Sequence, residues 1–377
     1  MSGEFSPGLE GVLAARTEIS MVDGQNGRLV YRGYTIADLY ENCSFEEVAY
    51  LLWYGDLPTE EELADLKRKL AARRTLNAPA RKALEALPRD TDPMDVLRTV
   101  ISAQAAAPGL QPPDQEQALA LTAVMGTALA AAYRHADGAP PIEPRDDLDH
   151  AANVVYMMSG TVDEQRAKYL DSYLVLLADH GMNASTFTAR VVASTNSDLG
   201  SAVVAAIGAL KGPAHGAAAL EAMNMLEKIG SPDNVEPWMR SALDRKEKLF
   251  GFGHRIYRTD DPRAKILRPL TQQANPDFYA IASKGEEVAL RLLHERHPER
   301  PQATNVDYYS AGLLQAAGLP KQFFTLAFAS SRVAGWTAHV LEQVKLNRII
   351  RPDSEYVGPE PHPVRPIRDR AKAPAAG

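Results

Sequence analysis

Residues 211–216 read Lys-Gly-Pro-Ala-His-Gly, and residues 251–263 read Gly-Phe-Gly-His-Arg-Ile-Tyr-Arg-Thr-Asp-Asp-Pro-Arg. Each segment places a histidine, His215 or His254, close to glycine at the edge of a helical pattern. Residues 217–229, between them, have the apolar periodicity of a buried helix. Glycine and proline near a histidine let the backbone and the imidazole approach a ligand closely. The stretch therefore predicts an active site carried on helices.

The composition is that of an ordinary globular protein. The chain has 377 residues, which favours two domains, and 45% of them are hydrophobic. A net charge of −7 argues against nucleic acid or an anionic membrane as a partner. A single cysteine, Cys43, excludes an internal disulfide. With no signal-peptide pattern at the N-terminus, we expect a cytoplasmic protein.

Helical signals dominate the rest of the chain. The exception is a hairpin pattern, in which apolar residues at 19–22 and 29–31 flank Asp-Gly-Gln-Asn-Gly at 23–27. The small, apolar residues of 119–135 predict a core helix that is too short to span a membrane. We therefore predict an all-α fold with a minor N-terminal β-hairpin.

Charge and helix-breaking residues predict two domains. Residues 214–322 carry more charge and more prolines than the segments around them, and they indicate a small domain inserted into a larger one. The large domain would comprise 1–213 and 323–377. The proline-rich tail beyond residue 352 lacks the apolar residues for a core, so we expect it to be disordered or to lie on a partner as an arm.

His215 follows a proline, a residue that is favoured at helix starts. We expect it in the first turn of the next helix, where the helix dipole disfavours a cation. A neutral imidazole there can donate a hydrogen bond to a developing oxyanion, although a histidine that caps or packs fits the same spacing.

Arginine and lysine are concentrated around His254. A local basic cluster follows it, which indicates either an anion site or a solvated basic face: Arg255, Arg258, Arg263, Lys265 and Arg268. The neighbouring glycines favour the anion site. Gly251 and Gly253 do not form a dinucleotide fingerprint, because no third glycine follows at the required spacing.

Three further residues could take part in catalysis or ligand binding. Asp307 begins a helical pattern and is either an ordinary first-turn carboxylate or a general base. His180 ends a helical pattern as a cap or a ligand contact. Arg332 lies in a strongly apolar helix and needs a partner, either a structural carboxylate or a substrate carboxylate.

Metal sites are not indicated. His294 and His297 lack the cysteines or patterned carboxylates of a metal site, and their spacing favours a solvent-facing helix end. We expect no metal or redox cofactor.

Taken together, these segments resemble the citrate synthase family. The matching stretches are 180–191, 211–216, 251–263, 305–312 and 330–339, and the openings at 8–20 and 27–39 are similar as well. The resemblance extends in order from about residue 8 to about residue 358.

The resemblance implies an all-α homodimer with a large domain and a small, mobile one. It implies an acyltransferase of the tricarboxylic acid cycle that condenses acetyl-CoA with oxaloacetate and hydrolyses citryl-CoA. By motif match, Asp307 would abstract the methyl proton, His215 would hydrogen-bond the enol oxygen, and His254 would polarise the keto group and protonate the alkoxide.

The same match implies the residues that bind the two substrates. Oxaloacetate would be bound by His180, His254, Arg263, Arg332 and, from the other subunit, Arg351. Coenzyme A would be bound by Arg258, Gly251 and Gly253.

One departure from the family pattern leaves alternatives open. The family has an asparagine where this chain has Ala219, which removes a polar group beyond His215. A 2-methylcitrate synthase, which uses propionyl-CoA, is the nearest alternative. A non-catalytic paralogue that binds CoA or a dicarboxylate is the alternative from another class.

Overall fold

The structure is a computed structural model that describes residues 5–254, 256–257, 259–299, 302–345 and 347–370. The contacts divide the chain into two compact units. One is Thr17–Ile349, and the other consists of the two termini, 1–16 and 350–377. The division at 213/214 and 322/323 into a large and a small domain stays a prediction.

The predicted hairpin is confirmed. Strands β1 (Ser20–Asp23) and β2 (Arg28–Tyr31) pair antiparallel, and a short β3 (Tyr34–Thr35) extends the sheet. The turn is held by the Asp23 carboxylate, which accepts the amides of Gln25 and Asn26 at 3.2 and 3.0 Å. Gly27 supplies the positive φ of +60° that the turn needs.

The predicted all-α character is confirmed as well, since the described residues form sixteen α-helices. Those of the first half are α1 (Ile36–Asn42), α2 (Phe45–Tyr54), α3 (Glu60–Ala71), α4 (Ala78–Ala86), α5 (Pro93–Ala105), α6 (Gln115–Ala136), α7 (His150–Ser159) and α8 (Glu164–Leu177). Those of the second half are α9 (Ala184–Ser194), α10 (Leu199–Lys211), α11 (Ala218–Ile229), α12 (Val235–Asp244), α13 (Pro262–Ala274), α14 (Pro276–Arg296), α15 (Val306–Ala316) and α16 (Phe324–Lys345).

Capping residues fix many of the helix starts. Ser44 with Glu47 and Thr59 with Glu62 form capping boxes at the starts of α2 and α3, as their spacing predicts. Asn305 begins α15 by accepting the Asp307 amide at 3.1 Å. Such caps replace the partners that the first helical amides lack.

Helix α16 runs through the centre of the core and packs against α2, α6, α8, α9 and α10. Most of its residues are buried, among them Trp336 and Arg332. Helix α6 is buried along most of its length, which confirms the prediction of a core helix at 119–135. No helix of the described residues has the length and apolarity that crossing a membrane requires.

Helix α16 also completes the C-terminal end of α8. Ser331 Oγ donates to the Leu174 carbonyl at 2.6 Å, Arg332 Nε donates to that of Leu177 at 2.8 Å, and the Gly335 amide donates to that of Ala178 at 3.1 Å. These donors satisfy carbonyls that the end of a helix leaves without partners. The turn that follows, which carries His180, is thereby fixed to the centre of the core.

A separate, buried network of hydrogen bonds around Glu286 supports α15. Glu286 of α14 accepts hydrogen bonds from Thr304 Oγ1 at 2.5 Å and from Tyr309 OH at 2.6 Å, and it pairs with Arg268. Because Thr304 and Tyr309 flank Asp307 along the chain, this network fixes the start of α15, where Asp307 lies.

The terminal unit contains only short 3₁₀ turns, Pro7–Leu9 and Ile367–Asp369, in its described part. Its residues are mostly exposed, in keeping with a segment that has no core of its own. Whether the tail is disordered or lies on a partner stays a prediction.

Candidate active site

His215 lies in a turn between α10 and α11. Its amide donates to the Gly212 carbonyl at 2.9 Å, and helix α11 begins three residues later at Ala218. The prediction that His215 sits in the first turn of a helix is therefore wrong, because Pro213 belongs to a reverse turn. Burial, followed by the charge of Arg332, lowers the pKa of His215 to about 4. The imidazole is thus neutral because it is desolvated.

A short side-chain network holds the His215 ring. Its Nε2 lies 2.8 Å from Ser185 Oγ, which also receives the indole N–H of Trp336 at 3.0 Å. Asn183 Oδ1 lies 2.8 Å from the same hydroxyl. An indole N–H only donates, so the single hydroxyl proton of Ser185 is directed at either His215 or Asn183.

His254 is held by main-chain groups instead. Its Nδ1 accepts the amides of Ile256 and Tyr257 at 3.0 and 3.1 Å. Since Nδ1 accepts, the proton of the neutral ring is on Nε2. Burial, followed by the charge of Arg263, lowers the pKa of His254 to about 4.

Two glycines connect the His254 loop to the start of α15. Gly251 and Gly253 have φ angles of +91° and +79°, which other residues rarely adopt. The Gly251 carbonyl accepts the Asn305 amide at 2.9 Å, and the Gly253 carbonyl accepts Asn305 Nδ2 at 3.1 Å. One asparagine therefore links the loop of His254 to the helix of Asp307.

Asp307 is only partly accessible and lies in the first turn of α15, as predicted. Burial raises the pKa of its carboxyl to about 6, although Arg263 and Arg332 oppose the rise. A carboxylate with a raised pKa is a better proton acceptor than an ordinary aspartate and is still largely ionised at neutral pH.

His180 is buried beside His254. The two ring centroids are 5.3 Å apart, and His180 Nε2 lies 3.2 Å from the hydroxyl of Tyr257. Burial, followed by the charge of Arg263, holds the pKa of His180 well below its ordinary value. The described residues thus bring three neutral imidazoles into one region.

The two buried arginines near these histidines, Arg263 and Arg332, have protein partners. Asp261 binds Arg263 through both carboxylate oxygens, at 3.0 Å to Nε and 2.8 Å to Nη2. The Arg332 guanidinium lies 4.8 Å from the Phe328 ring centroid, and its Nε binds a main-chain carbonyl. The expectation that a carboxylate is the direct partner of Arg332 is thus not met at Nε.

Electrostatics shows that these groups share one site. The charge of Arg332 acts on the pKa values of His180, His215 and Asp307, and that of Arg263 acts on those of His180, His254 and Asp307. Two guanidinium groups therefore face three imidazoles and one carboxylate. Such a site can hold a dianion and stabilise negative charge that develops beside a base.

The roles of two further predicted ligand residues, Arg258 and Arg351, stay predictions. Arg258 lies outside the described residues, as does Arg255 of the basic cluster. Arg351 is exposed in the terminal unit, where its Nη1 lies 3.5 Å from Asp353 Oδ1. His294 and His297 are exposed at the end of α14, and the described residues contain no group of three potential metal ligands.

The match to known proteins covers almost the whole chain. The family model described as "Citrate synthase, C-terminal domain" matches residues 8–353.

The chain belongs to the citrate synthase family.

Its curated relatives carry two names. A citrate synthase of Haloferax volcanii is 44% identical, and the match covers 98% of this chain and 100% of the relative. A 2-methylcitrate synthase of Mycobacterium tuberculosis is 40% identical, with 95% of this chain and 91% of the relative covered. The family and its acyl-transfer chemistry are therefore established, while both citrate synthases and 2-methylcitrate synthases occur among the relatives.

Solved citrate synthases share the fold. That of Thermotoga maritima has a TM-score of 0.87 and 43% identity, covering 98% of this chain and 100% of that chain. That of Thermoplasma acidophilum, a ternary complex with carboxymethyl coenzyme A and oxaloacetate, has a TM-score of 0.92 and 32% identity, covering 98% and 100%.

Sequence reasoning missed several residues that support the site of this citrate synthase family member. Ser185, Trp336, Tyr257 and Asn305 all lie inside the family-like segments, yet their spacing gives no sign of what each side chain touches. Ala219, the departure from the family pattern, is buried in the first turn of α11.

Proposed function

We propose that the chain condenses acetyl-CoA with oxaloacetate and hydrolyses the citryl-CoA that forms, giving citrate and CoA. One observation carries the proposal: a carboxyl with a pKa of about 6 shares its site with neutral imidazoles and two buried arginines. A thioester methyl is a very weak acid, so a carboxylate can remove its proton only where the enolate oxygen is stabilised in the same step.

Asp307 takes the methyl proton, and His215 donates to the thioester oxygen. Ser185 lies against Nε2 of His215, so Nδ1 is the nitrogen left for the substrate. Nδ1 carries a proton in the neutral ring only when Ser185 donates to Nε2. Trp336 occupies one acceptor position of the Ser185 hydroxyl. The reaction requires that the hydroxyl proton turn from Asn183 Oδ1 to His215 Nε2.

The second reactant lies at His254. Its Nε2–H donates to the keto oxygen of oxaloacetate and to the alkoxide that replaces it. Arg263 and Arg332 bind the two carboxylates, with His180 beside them, and fix the near-attack geometry. Asp307 takes the methyl proton and His254 gives its Nε2 proton to the alkoxide. Return of a proton from Asp307 to His254 through water restores both groups, so the condensation is balanced. Water then cleaves the thioester and releases CoA.

Release of CoA thiol tests the proposal directly. The purified chain is assayed with oxaloacetate and either acetyl-CoA or propionyl-CoA. We expect turnover with acetyl-CoA and a higher kcat/KM for it than for propionyl-CoA. No turnover with either thioester would favour a non-catalytic protein that binds CoA or a dicarboxylate.

The 2-methylcitrate reaction is the second candidate, because relatives of 40% identity carry that name. One methylene separates the two acyl donors, and an apolar pocket discriminates such a difference by only about 1–3 kcal/mol. A higher kcat/KM for propionyl-CoA would establish this alternative.

We further propose a cytoplasmic homodimer of the tricarboxylic acid cycle in which Arg351 reaches the partner's site. Arg258, Gly251 and Gly253 would contact CoA, and residues 214–322 would close over the substrates as a small domain. Closure of the small domain is testable by X-ray scattering with and without oxaloacetate. If the domain closes, the radius of gyration should be smaller with oxaloacetate.

Mixed dimers test the role of Arg351. One subunit carries Asp307→Ala and the other carries Arg351→Ala. If Arg351 acts in the partner's site, both defects fall on one site and the other site is intact, so about half of the wild-type activity returns. If Arg351 acts within its own subunit, each site keeps one defect and activity stays low.

A further inference from the structure

A network of polar side chains in the core connects helices α9 and α16 to the turn that carries His180. Arg190 of α9 donates through Nη1 to Glu342 Oε2 at 2.6 Å and through Nε to Gln343 Oε1 at 3.0 Å. The same Nη1 lies 3.0 Å from Nδ1 of His339. His339 is fully buried on α16, and its ring connects Arg190 to Asp179.

The contacts define which nitrogen of His339 carries the proton. A guanidinium has only donors, so Nδ1 accepts from Arg190 and the proton of the neutral ring is on Nε2. Nε2 lies 3.3 Å from Asp179 Oδ1, a charge-pair distance, and both atoms are buried with no hydrogen-bond partner among the described residues.

The other oxygen of Asp179 holds the turn that bears His180. Oδ2 accepts the Gly181 amide at 2.8 Å and the hydroxyl of Ser20 on β1. Gly181 has a φ of +57°, a backbone conformation that glycine adopts readily. The bonds to Asp179 hold the turn in this conformation. The Tyr31 hydroxyl completes the turn by donating to the Asp179 carbonyl at 2.7 Å.

Helix α16 approaches this turn unusually closely at Gly335. A Cβ atom at that position would lie 2.5 Å from the Ala178 carbonyl oxygen and would also meet the Asp179 carboxylate. The close approach brings His339, one helical turn further along α16, within reach of the same carboxylate.

We propose that His339 and Asp179 are positioning residues for His180. His339 orients the Asp179 carboxylate, and that carboxylate fixes the Gly181 turn so that the His180 ring stands against Tyr257 and His254. The role deepens the proposed function and rests on it, because it assigns oxaloacetate binding as the step that His339 supports.

The test compares two replacements of His339 with a matched variant on the same helix. His339→Leu removes both polar contacts, whereas His339→Gln can accept from Arg190 and donate to Asp179. Thr337→Val is the control, since Thr337 is also buried on α16 but bonds to Trp53 on α2, at 2.9 Å. Ser20→Ala removes one bond to Asp179 from the hairpin side.

We expect His339→Leu to raise the KM for oxaloacetate about 10-fold, as loss of a supporting partner commonly does. The KM for acetyl-CoA and kcat at saturation should stay within about twofold of wild type, and Gln should restore most of the loss. Ser20→Ala should give a smaller increase in the same direction. A KM for oxaloacetate that rises no more in His339→Leu than in Thr337→Val would overturn the proposal.

Hydrogen exchange gives a readout that does not depend on turnover. Amides of residues 178–184 should exchange faster in His339→Leu and in Ser20→Ala, but not in Thr337→Val at matched thermal stability. Unchanged exchange there overturns the proposal even if the enzyme is active. Absence of turnover in the wild type would instead refute the proposed function, while the exchange experiment still decides the role of His339. If His339→Leu does not fold, Ser20→Ala and His339→Gln provide the comparison.

Discussion

The two proposed catalytic histidines reach the same protonation state by different means. His215 is held through side chains: its ring bonds to Ser185, and Ser185 in turn accepts a hydrogen bond from Trp336. His254 is held through two backbone amides of its own loop. Burial is the main cause that lowers the pKa of both to about 4.

The difference determines how each tautomer can be changed. The proton of His254 is placed on Nε2 by main-chain groups, so no side-chain deletion removes that control. The proton of His215 depends on the direction of one hydroxyl, that of Ser185. We infer that the tautomer of the histidine facing the keto acid, His254, resists side-chain substitution. The tautomer of the histidine facing the thioester, His215, can be changed by one substitution.

The largest expected effect comes from the base that both histidines assist. Asp307→Ala should lower kcat by about 10²–10⁴-fold, the range for loss of a general base. The Kd of oxaloacetate, measured by calorimetry, should be nearly unchanged, because Asp307 acts on the other reactant. Asp277→Ala is the matched control, since Asp277 lies in the first turn of α14 after an asparagine cap but is exposed. Weak oxaloacetate binding with a normal rate at saturation would contradict the assignment.

The next largest effect separates the two histidines. His215→Ala and His254→Ala should each lower kcat by about 10²–10³-fold, as loss of an oxyanion donor does. Only His254→Ala should also raise the KM for oxaloacetate, because its ring binds the keto acid. Steady-state kinetics with each substrate varied in turn would show this split. Equal increases of that KM in both variants would remove the distinction between the two histidines.

A smaller effect tests how His215 is held. Ser185→Ala should lower kcat about 10-fold and leave the KM for oxaloacetate unchanged, because it removes the donor that keeps the proton on Nδ1. Thr188→Ala, on the same helix, serves as the control because its hydroxyl bonds only within α9. A wild-type kcat in Ser185→Ala would mean that the His215 tautomer does not depend on that hydroxyl.

The smallest effect probes the loop of His254 from outside. Gly24 of the hairpin turn approaches this loop so closely that a Cβ atom would clash with the Ile256 carbonyl oxygen. Gly24→Ala should displace the amides that hold His254 and raise the KM for oxaloacetate about fivefold. Gln25→Ala, an exposed change in the same turn, is the control. If both variants behave alike, the hairpin does not support the loop.

Local patterns predicted the elements that local forces decide. The hairpin turn at Asp23 and the capping boxes at Ser44 and Thr59 depend on residues within five positions of each other, so the sequence is sufficient. The first-turn position of Asp307 follows for the same reason.

Contacts between distant segments could not be predicted in that way. Trp336 and Ser185 are 151 positions apart, yet they meet behind His215. The proline before His215 suggested a helix start, but α10 ends at Lys211 and α11 begins only at Ala218, and the segment between them is a reverse turn. The site residues themselves were found by resemblance, since neither spacing nor composition shows that these side chains converge.

The central claim is that two neutral imidazoles face the reactants and that the loop of His254 fixes the tautomer of that ring. Nitrogen-15 NMR of the histidine rings, assigned by His215→Gln and His254→Gln, measures both properties as pH is lowered from 8 to 5. The account predicts that both rings stay neutral throughout, because both pKa values are about 4, and that His254 carries its proton on Nε2. Titration of either ring near pH 6.5, or a proton on Nδ1 of His254, would contradict it.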